Sequence, residues 1–507
     1  MNIQHMSLRE KIGQVFTFSA FAPQMDEAIA SLIREYKIGG VFLGTGCLLN
    51  TEEIYKLTSD LQQLSIQEGS GDTLLISADF VAGVGSKVKS GVTHFPKNWA
   101  MGAAGDDQLA YEAGRITAKE ALALGVNMNY SPVVDINNNP LNPVIGTHSF
   151  GEERDEVVRL ANAVIRGYQD HGLIATAKHF PGHGDTSVDS HYDLPELPFT
   201  QERLRDFELV PFQKAIEVGV DAVMVGHMAV PSLDPTLTPA SLSYPITTGI
   251  LRNELGFEGL IVTDGLSMKG ITHKYGMAEA GVMALQAGAD ILLATTDGYE
   301  LSVAMIEAVY KAVENGVITE ARIDESVERI LRAKQKYKIS ADSLRDTFDA
   351  SLIGTDEGQE IALSIARKAV TPSEGLERGV LQQLDPAAPL HLIYDERCSV
   401  FAEGVKSAGL HSLTVETFAS LDEADQLLSE IDSSSAVILV TAGNKPIGAE
   451  ASKRIEDRLQ AMNTLVWAHF GSEYDAADTS VPCLLMYDYA APLQTAAFEY
   501  LLGQGKA

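Results

Sequence analysis

Seven short apolar runs alternate with longer amphipathic segments over the first 340 residues, and this alternation constrains the fold more than any other feature of the sequence. It is the pattern of parallel strands joined by crossover helices. The runs are Gly39 to Leu43, Leu74 to Ala78, Val126 to Val134, Leu173 to Ala177, Ala222 to Val225, Leu260 to Thr263 and Ile291 to Ala294. Residues 1–340 are therefore predicted to form a (β/α)8 TIM-type barrel with one weak strand that escapes the pattern.

The segments between these runs have helical periodicity. Asp155 to Gln169 and Met277 to Ala287 each place their apolar residues near one face. Asp324 to Lys338 is predicted to begin with Asp324 as its cap and to end in lysines that suit the helix dipole. This last helix is expected to close the barrel.

The pattern changes after residue 340. Residues 341–388 hold one helix-like stretch, Glu357 to Lys368, and two proline-containing turns, so they are predicted to be a linker with a helix. Residues 389–507 are predicted to form a smaller C-terminal α/β (αβα) sandwich domain, for which packing or homodimer formation is the simplest role. Its strand-like runs are Leu390 to Tyr394, Leu413 to Glu416, Ala436 to Thr441, Leu465 to His469 and Cys483 to Tyr487.

Charge and apolar content limit the partners of the chain. The formal net charge is −31 at pH 7 and is spread along the sequence, so neither nucleic acid nor an anionic membrane surface is expected as a partner. The first residues lack the apolar core of a secretory signal, and no segment has about 18 uninterrupted apolar residues. A cytoplasmic protein is therefore expected. The three cysteines are far apart, so buried free thiols are predicted.

The fourteen residues from Lys178 to His191 contain three histidines and two aspartates directly after a predicted strand. Asp189 and His191 are two residues apart, so in an extended segment they point to the same side, and the carboxylate can orient the imidazole for proton transfer. Lys178 and His179 can donate hydrogen bonds to sugar or phosphate oxygens. The alternative interpretation is three ordinary hydrogen-bonded histidines.

Two aspartates follow other predicted strands. Asp264 comes after Leu260 to Thr263, which in a barrel directs it toward the active-site mouth. There it could act as a nucleophile, a metal ligand or a helix cap. Asp79 follows Leu74 to Ala78 and is predicted to hold substrate hydroxyl groups.

Taken together, these motifs closely resemble glycoside hydrolase family 3, and most of all its β-N-acetylglucosaminidase branch. The resemblance covers the predicted barrel, and the two-domain plan is similar to that of members with a C-terminal sandwich. The strings that carry it are Lys178 to Gly184, Asp189-Ser190-His191, Thr263 to Met268, Asn137 to Thr147, Gly226 to Pro231, Ser241 to Ser243 and Leu251 to Phe257.

The resemblance implies a retaining, exo-acting hydrolase that needs neither a metal nor another cofactor. Asp264 would be the catalytic nucleophile, and His191, assisted by Asp189, would be the general acid/base. In most retaining glycosidases a second carboxylate has this role, so the histidine loop makes the assignment specific. The residues that match sugar-binding positions of the family are Asp79, Lys178 and His179.

The sequence departs from the branch at two places. His148 stands where the branch has an arginine, and we keep it as a substrate-binding candidate; the segment after Asp79 lacks the glutamate and the arginine of the branch. Both positions bear on contacts with sugar hydroxyls. The predicted substrate is a small carbohydrate, either a small glycoside or a cell-wall fragment, with the exact sugar left open.

Several alternatives stay open. Phosphate could replace water as the acceptor, because a histidine repels phosphate less than a carboxylate does; the chain would then be an N-acetylglucosaminide phosphorylase. A family 3 glycosidase of different sugar specificity and a non-catalytic sugar-binding protein are two more. The last is a metal-dependent barrel hydrolase, whose ligands would be His179, His183, Asp185, His191 and Asp264.

Overall fold

The chain forms two compact units in a computed structural model that describes residues 3–295, 298–385, 388–443, 446–476 and 479–505. The first unit comprises Met1–Thr93, Ala110–Ile145 and Glu152–Thr355, and the second comprises His94–Leu109, Gly146–Gly151 and Asp356–Ala507. Two short segments of the barrel sequence, residues 94–109 and 146–151, thus belong to the second unit.

Within its described residues, the first unit is a barrel of eight parallel strands. Neighbouring strands follow the order β7-β6-β5-β4-β3-β2-β1-β8, and a parallel bridge between Val262 and Ile291 joins the ends of this sheet. The predicted TIM-type barrel is therefore confirmed. Its strands are β1 (Phe16–Ala20), β2 (Gly40–Leu43), β3 (Leu75–Ala78), β4 (Met128–Asn129), β5 (Ile174–Phe180), β6 (Ala222–Val225), β7 (Leu260–Thr263) and β8 (Leu292–Ala294).

The strand that the apolar pattern does not reveal is β1. All five of its residues are buried, but Thr17 and Ser19 interrupt the phenylalanines, so the sequence shows no continuous apolar run. Conversely, the predicted strand from Val126 to Val134 shrinks to the two residues of β4. Side-chain amides add to the backbone hydrogen bonds there: the Asn127 oxygen accepts from the Ile76 N–H and the Asn129 oxygen accepts from the Phe80 N–H, both at 2.9 Å.

Helices surround the barrel strands. The helix predicted to start at Asp324 begins at Glu320 instead, because the Thr319 hydroxyl caps it by accepting from the Arg322 N–H. Asp324 lies inside the helix, where it forms an ion pair with Lys11 at 2.7 Å. The longer helices assigned to this unit or starting at its border are Leu8–Gln14, Glu27–Tyr36, Thr51–Gln67, Asp107–Ala123, Arg154–Gln169, Val210–Glu217, Met277–Ala287, Tyr299–Glu314 and Glu320–Lys336, with a π-helical segment at Pro245–Glu254.

The second unit is a mixed sheet between two layers of helices, as predicted. In its described part the strand order is β11-β10-β12-β13-β14-β9, and only the β9–β14 pair is antiparallel. Its strands are β9 (Thr371–Pro372), β10 (Leu390–Asp395), β11 (Leu413–Phe418), β12 (Ala436–Ala442), β13 (Asn463–Phe470) and β14 (Cys483–Leu485). Its helices are Asn98–Ala104, Asp356–Ala369, Ser399–Lys406, Leu421–Ser429, Ala449–Gln460 and Ala491–Leu501.

Strand β12 shows why this sheet needs helices on both faces. Its side chains alternate between two apolar cores: Ile438 and Val440 pack into one, and Val437 and Leu439 into the other. Ala366, from the helix within the predicted linker, contributes to the first core.

Apolar residues of the second unit are buried in these two cores. None of the helices in the described ranges is long and apolar enough to cross a membrane. Cys47, Cys398 and Cys483 are buried and form no disulfide, in agreement with the prediction of free thiols.

Candidate active site

Four of the predicted site residues stand where barrel strands end. Lys178 and His179 lie near the C-terminal end of β5, Asp79 follows β3 and Asp264 follows β7. Because all eight strands are parallel, these carboxyl ends meet at one mouth of the barrel. Burial raises the pKa of the Tyr130 hydroxyl, and the charges of Asp264 and Asp79 raise it further, so both carboxylates act on the same buried phenol.

Lys178 and Asp79 form an ion pair across the barrel mouth. The Lys178 ammonium is buried and donates to Asp79 Oδ1, while Lys87 Nζ lies 3.7 Å from Asp79 Oδ2. The Asp79 side chain keeps about a third of its surface exposed. A ligand at the mouth would therefore meet a carboxylate that accepts and an ammonium that donates hydrogen bonds, as adjacent sugar hydroxyls require.

His179 is held by a residue that the sequence analysis did not assign to the site. Its Nδ1 lies 2.8 Å from Asp135 Oδ2, and its backbone N–H also donates to that carboxylate. The His183 N–H donates to Asp135 Oδ1 at 2.7 Å. Burial alone would raise the pKa of Asp135, but the adjacent His179 and His183 lower it below its ordinary value. Its place after the apolar pair Val133-Val134 was the available sequence signal.

Asp264 has an environment that favours the ionised carboxylate. Burial by itself would raise its pKa, but the imidazoles of His227 and His179, the Gly265 N–H and the Lys178 ammonium lower it below the ordinary value. The Gly265 N–H donates to Asp264 Oδ1 at 2.7 Å. The next helix begins only at Lys269, so Asp264 is not a helix cap.

His227 is a second buried residue beside Asp264 that the sequence analysis gave no role. Its Nδ1 lies 2.8 Å from Ser241 Oγ, and its Nε2 lies 2.9 Å from the carbonyl oxygen of Gly265. Burial lowers the pKa of His227, and the charge of His191 lowers it further. His227 is the second residue after β6, and Asp264 is the first residue after the neighbouring strand β7.

Asp189 and His191 form the predicted pair. His191 Nδ1 lies 2.7 Å from Asp189 Oδ1, and the same oxygen accepts from the His191 backbone N–H at 2.9 Å. The His191 side chain is 60% exposed, against 13% for Asp189. The carboxylate therefore fixes Nδ1 as the inward nitrogen and leaves Nε2 as the one that can exchange a proton with a ligand.

The loop residues His183 and Gly184, between His179 and His191, pack against residues 136–142. Asn142 Nδ2 donates to the carbonyl oxygens of His183 and Gly184 at 2.8 Å each. A side chain at Gly184 would overlap the carbonyl oxygen of Ile136, so only glycine allows this approach. Asn142 therefore holds the backbone of the loop.

His148 belongs to the second unit, whereas the other six predicted site residues belong to the first. It ends the short turn Gly146–His148, and its carbonyl oxygen accepts from Asn98 Nδ2 at 2.7 Å. Substrate contact by His148 stays a prediction. In the portion of the chain that the structure describes, no group of three histidine, cysteine, aspartate or glutamate side chains is arranged to hold a metal ion.

Comparison with known proteins gives concordant matches. The sequence model "Glycosyl hydrolase family 3 N terminal domain" matches residues 7–333. Beta-hexosaminidase A of Pseudoalteromonas piscicida is 32% identical over 412 residues, covering 76% of this chain and 68% of that protein. A beta-N-acetylglucosaminidase/beta-glucosidase of Cellulomonas fimi is 30% identical over 408 residues, covering 78% and 69%. The solved glycoside hydrolase family 3 beta-N-acetylglucosaminidase from Paenibacillus sp. str. FPU-7 has a TM-score of 0.89 and 34% identity, covering 99% and 98%.

Proposed function

The chain belongs to glycosyl hydrolase family 3, and from this premise we propose that it is a retaining, exo-acting β-N-acetylglucosaminidase. It is a glycoside hydrolase by family, and its specificity is inferred from the names of its relatives. The observation that carries the mechanism is the contrast between two groups: Asp264, whose pKa is lowered, and His191, whose imidazole is exposed but oriented by Asp189.

Asp264 is assigned the covalent step. Its ionised oxygen attacks the anomeric carbon and forms the glycosyl–enzyme bond while the bond to the leaving oxygen breaks. His191, protonated at Nε2, gives that proton to the leaving oxygen. In the second step His191 removes a proton from water, whose oxygen attacks the anomeric carbon and releases Asp264. Asp189 holds the ring for both transfers and stabilises the imidazolium between them.

Lys178, Asp79 and His179 are assigned to substrate binding. The Lys178–Asp79 ion pair offers a donor and an acceptor to neighbouring hydroxyl groups, and Asp135 fixes the His179 ring. Fixed polar groups hold the sugar so that its anomeric carbon faces Asp264. His148 is the proposed point at which this chain handles the sugar differently from its branch. Aryl glycosides that differ only at C2 and C4 would test that point, since changed hydroxyl contacts alter kcat/KM for one substituent but not for the other.

The central test is turnover of an aryl N-acetyl-β-glucosaminide, followed by nuclear magnetic resonance of the first product. We expect free N-acetylglucosamine that first appears as the β anomer, at a rate unchanged by a chelator or by inorganic phosphate. A sugar 1-phosphate would assign phosphorolysis, and activity lost with chelator and restored by metal would assign a metal-dependent hydrolase. Binding without turnover would assign a non-catalytic sugar-binding protein.

The biological setting is proposed as well, and only the cell-wall substrate rests on the family resemblance alone. A cell-wall fragment as substrate, a cytoplasmic location and homodimer formation by the second unit are the proposals. Cell fractionation, sedimentation of the purified chain and digestion of defined cell-wall fragments test them separately.

A further inference from the structure

We propose that Ser190 is the positioning residue of the acid/base loop: its hydroxyl group and its carbonyl group, held by His183 and Gly270, determine where the His191 imidazole stands. The inference rests on the acid/base role proposed for His191. These contacts would hold the mostly exposed side chain of His191 accurately enough for proton transfer.

The burial pattern of the loop points to Ser190 first. The His191 side chain is 60% exposed, whereas Ser190 directly before it is only 2% exposed. Val188 and Tyr192 are also exposed. Ser190 is therefore a buried position among the exposed side chains of Val188, His191 and Tyr192.

The hydroxyl of Ser190 is held by His183, and the hydrogen bonds around that ring determine which atom donates. Thr186 Oγ1 gives its hydrogen to the carbonyl oxygen of His183 at 3.1 Å, so it can only accept from His183 Nδ1 at 2.7 Å. Burial lowers the pKa of His183 to about 4, so at neutral pH the ring carries one proton, on Nδ1. Nε2 is then an acceptor, and Ser190 Oγ donates to it at 3.1 Å.

The carbonyl group of Ser190 is held by the backbone of Gly270. The Gly270 N–H donates to Ser190 O at 3.2 Å. A Cβ at Gly270 would lie 3.1 Å from Ser190 O, 3.3 Å from Asp193 O and 3.4 Å from His227 Cβ. The loop can therefore pack against Gly270 because this residue has no side chain. Since Gly270 follows Asp264 by six residues, this contact ties the histidine loop to the segment that bears the proposed nucleophile.

Proton transfer to a leaving group requires hydrogen-bond distance and alignment. Ser190 is proposed to act only through the placement of His191, so its loss should slow proton transfer and leave sugar binding unchanged. A substrate with a poor leaving group depends on that proton, whereas a dinitrophenyl glycoside departs without it. The expected signature is a loss that grows as the leaving group becomes poorer.

The experiment measures kcat and KM for dinitrophenyl and phenyl N-acetyl-β-glucosaminides with full-length variants. For Ser190→Ala we expect about a tenfold loss of kcat/KM on the phenyl substrate and less than about threefold on the dinitrophenyl substrate, because kcat/KM reports the first step, in which only the phenyl leaving group needs the proton. Gly270→Ala should give the same pattern by displacing the loop. Ser65→Ala is the matched control, because Ser65 is also fully buried and donates one hydrogen bond, to Asp72 O at 2.7 Å.

His191→Ala in the same panel separates the two levels of inference. If His191→Ala discriminates between the substrates but Ser190→Ala and Gly270→Ala lose activity equally on both, or lose none, the positioning role is wrong and the proposed function stands. If His191→Ala itself does not discriminate, the acid/base assignment is wrong. If Ser190→Ala does not fold, as a thermal melt would report, Gly270→Ala decides alone.

Discussion

Two aspartate–histidine pairs share the same contact between Nδ1 and a carboxylate oxygen and differ in burial. His179 Nδ1 lies 2.8 Å from Asp135, and His191 Nδ1 lies 2.7 Å from Asp189. The first pair has exposed fractions of 15% and 0% for histidine and aspartate, and the second has 60% and 13%. The same contact thus serves two purposes. In the buried pair it fixes a ring and a loop, and in the exposed pair it leaves Nε2 accessible for proton exchange.

The largest expected effect is that of removing the carboxylate of Asp264, the proposed nucleophile. Asp264→Asn removes the attacking carboxylate and should lower kcat/KM on aryl N-acetylglucosaminides about 10⁴-fold, whatever the leaving group. Asp155→Asn is the control, since Asp155 is 83% exposed and should keep activity within about twofold. Substantial activity of Asp264→Asn on the dinitrophenyl substrate would assign the covalent step to another residue.

The next effect distinguishes the exposed pair from the buried one by its dependence on the leaving group. His191→Ala should lower kcat/KM about 10³-fold on the phenyl substrate and less than about tenfold on the dinitrophenyl substrate, because kcat/KM reports the first step, in which only the phenyl leaving group needs protonation. His179→Ala should cost the same on both, since His179 is proposed to bind the sugar. Equal losses for His191→Ala on both substrates would contradict its role as acid.

The buried pair should contribute more than the exposed pair to the free energy of unfolding. Asp135→Ala leaves the buried N–H groups of His179 and His183 without their acceptor and should lower the free energy of unfolding by about 3 kcal/mol. Asp189→Ala should lower it by less than about 1 kcal/mol, because that pair is largely solvated. Chemical denaturation of both variants measures the difference. Equal losses would mean that burial does not distinguish the pairs.

The exposed pair was predictable from sequence and the buried pair was not. Asp189 and His191 are two residues apart, and a turn that starts at Asp189, not the extended segment that the sequence suggested, brings their side chains together. Asp135 and His179 are 44 residues apart and meet only because β4 and β5 are neighbours. The same limit applies to His227, which is recognisable as part of the site only once its strand is placed beside β7.

The fold was predictable for a related reason, and its misses were local. Continuous apolar runs revealed seven barrel strands, because parallel strands buried on both faces need them. Thr17 and Ser19 hid β1, and β4 is short where Asn127 and Asn129 add side-chain hydrogen bonds to the backbone ones. Sequence patterns report apolar burial, whereas buried polar residues depend on partners that are distant in sequence.

The smallest predicted effect uses His183, the buried histidine between the two pairs. Its pKa in the fold is about 4, against 6.5 for an ordinary histidine, so between these values the unfolded chain binds the additional proton. The contribution to stability is therefore complete above about pH 6.5 and is lost as the pH falls toward 4, and about 2 kcal/mol of it is lost between pH 7 and pH 4.5. The free energy of unfolding, measured from pH 7 to pH 4.5, should fall more steeply for the native chain than for His183→Gln, which has no titrating ring. Because Ser190 donates to the neutral Nε2, protonating His183 also breaks the hydrogen bond that holds the acid/base loop. Equal slopes for the two proteins would contradict the neutral ring, and with it the assignment of Ser190 as donor.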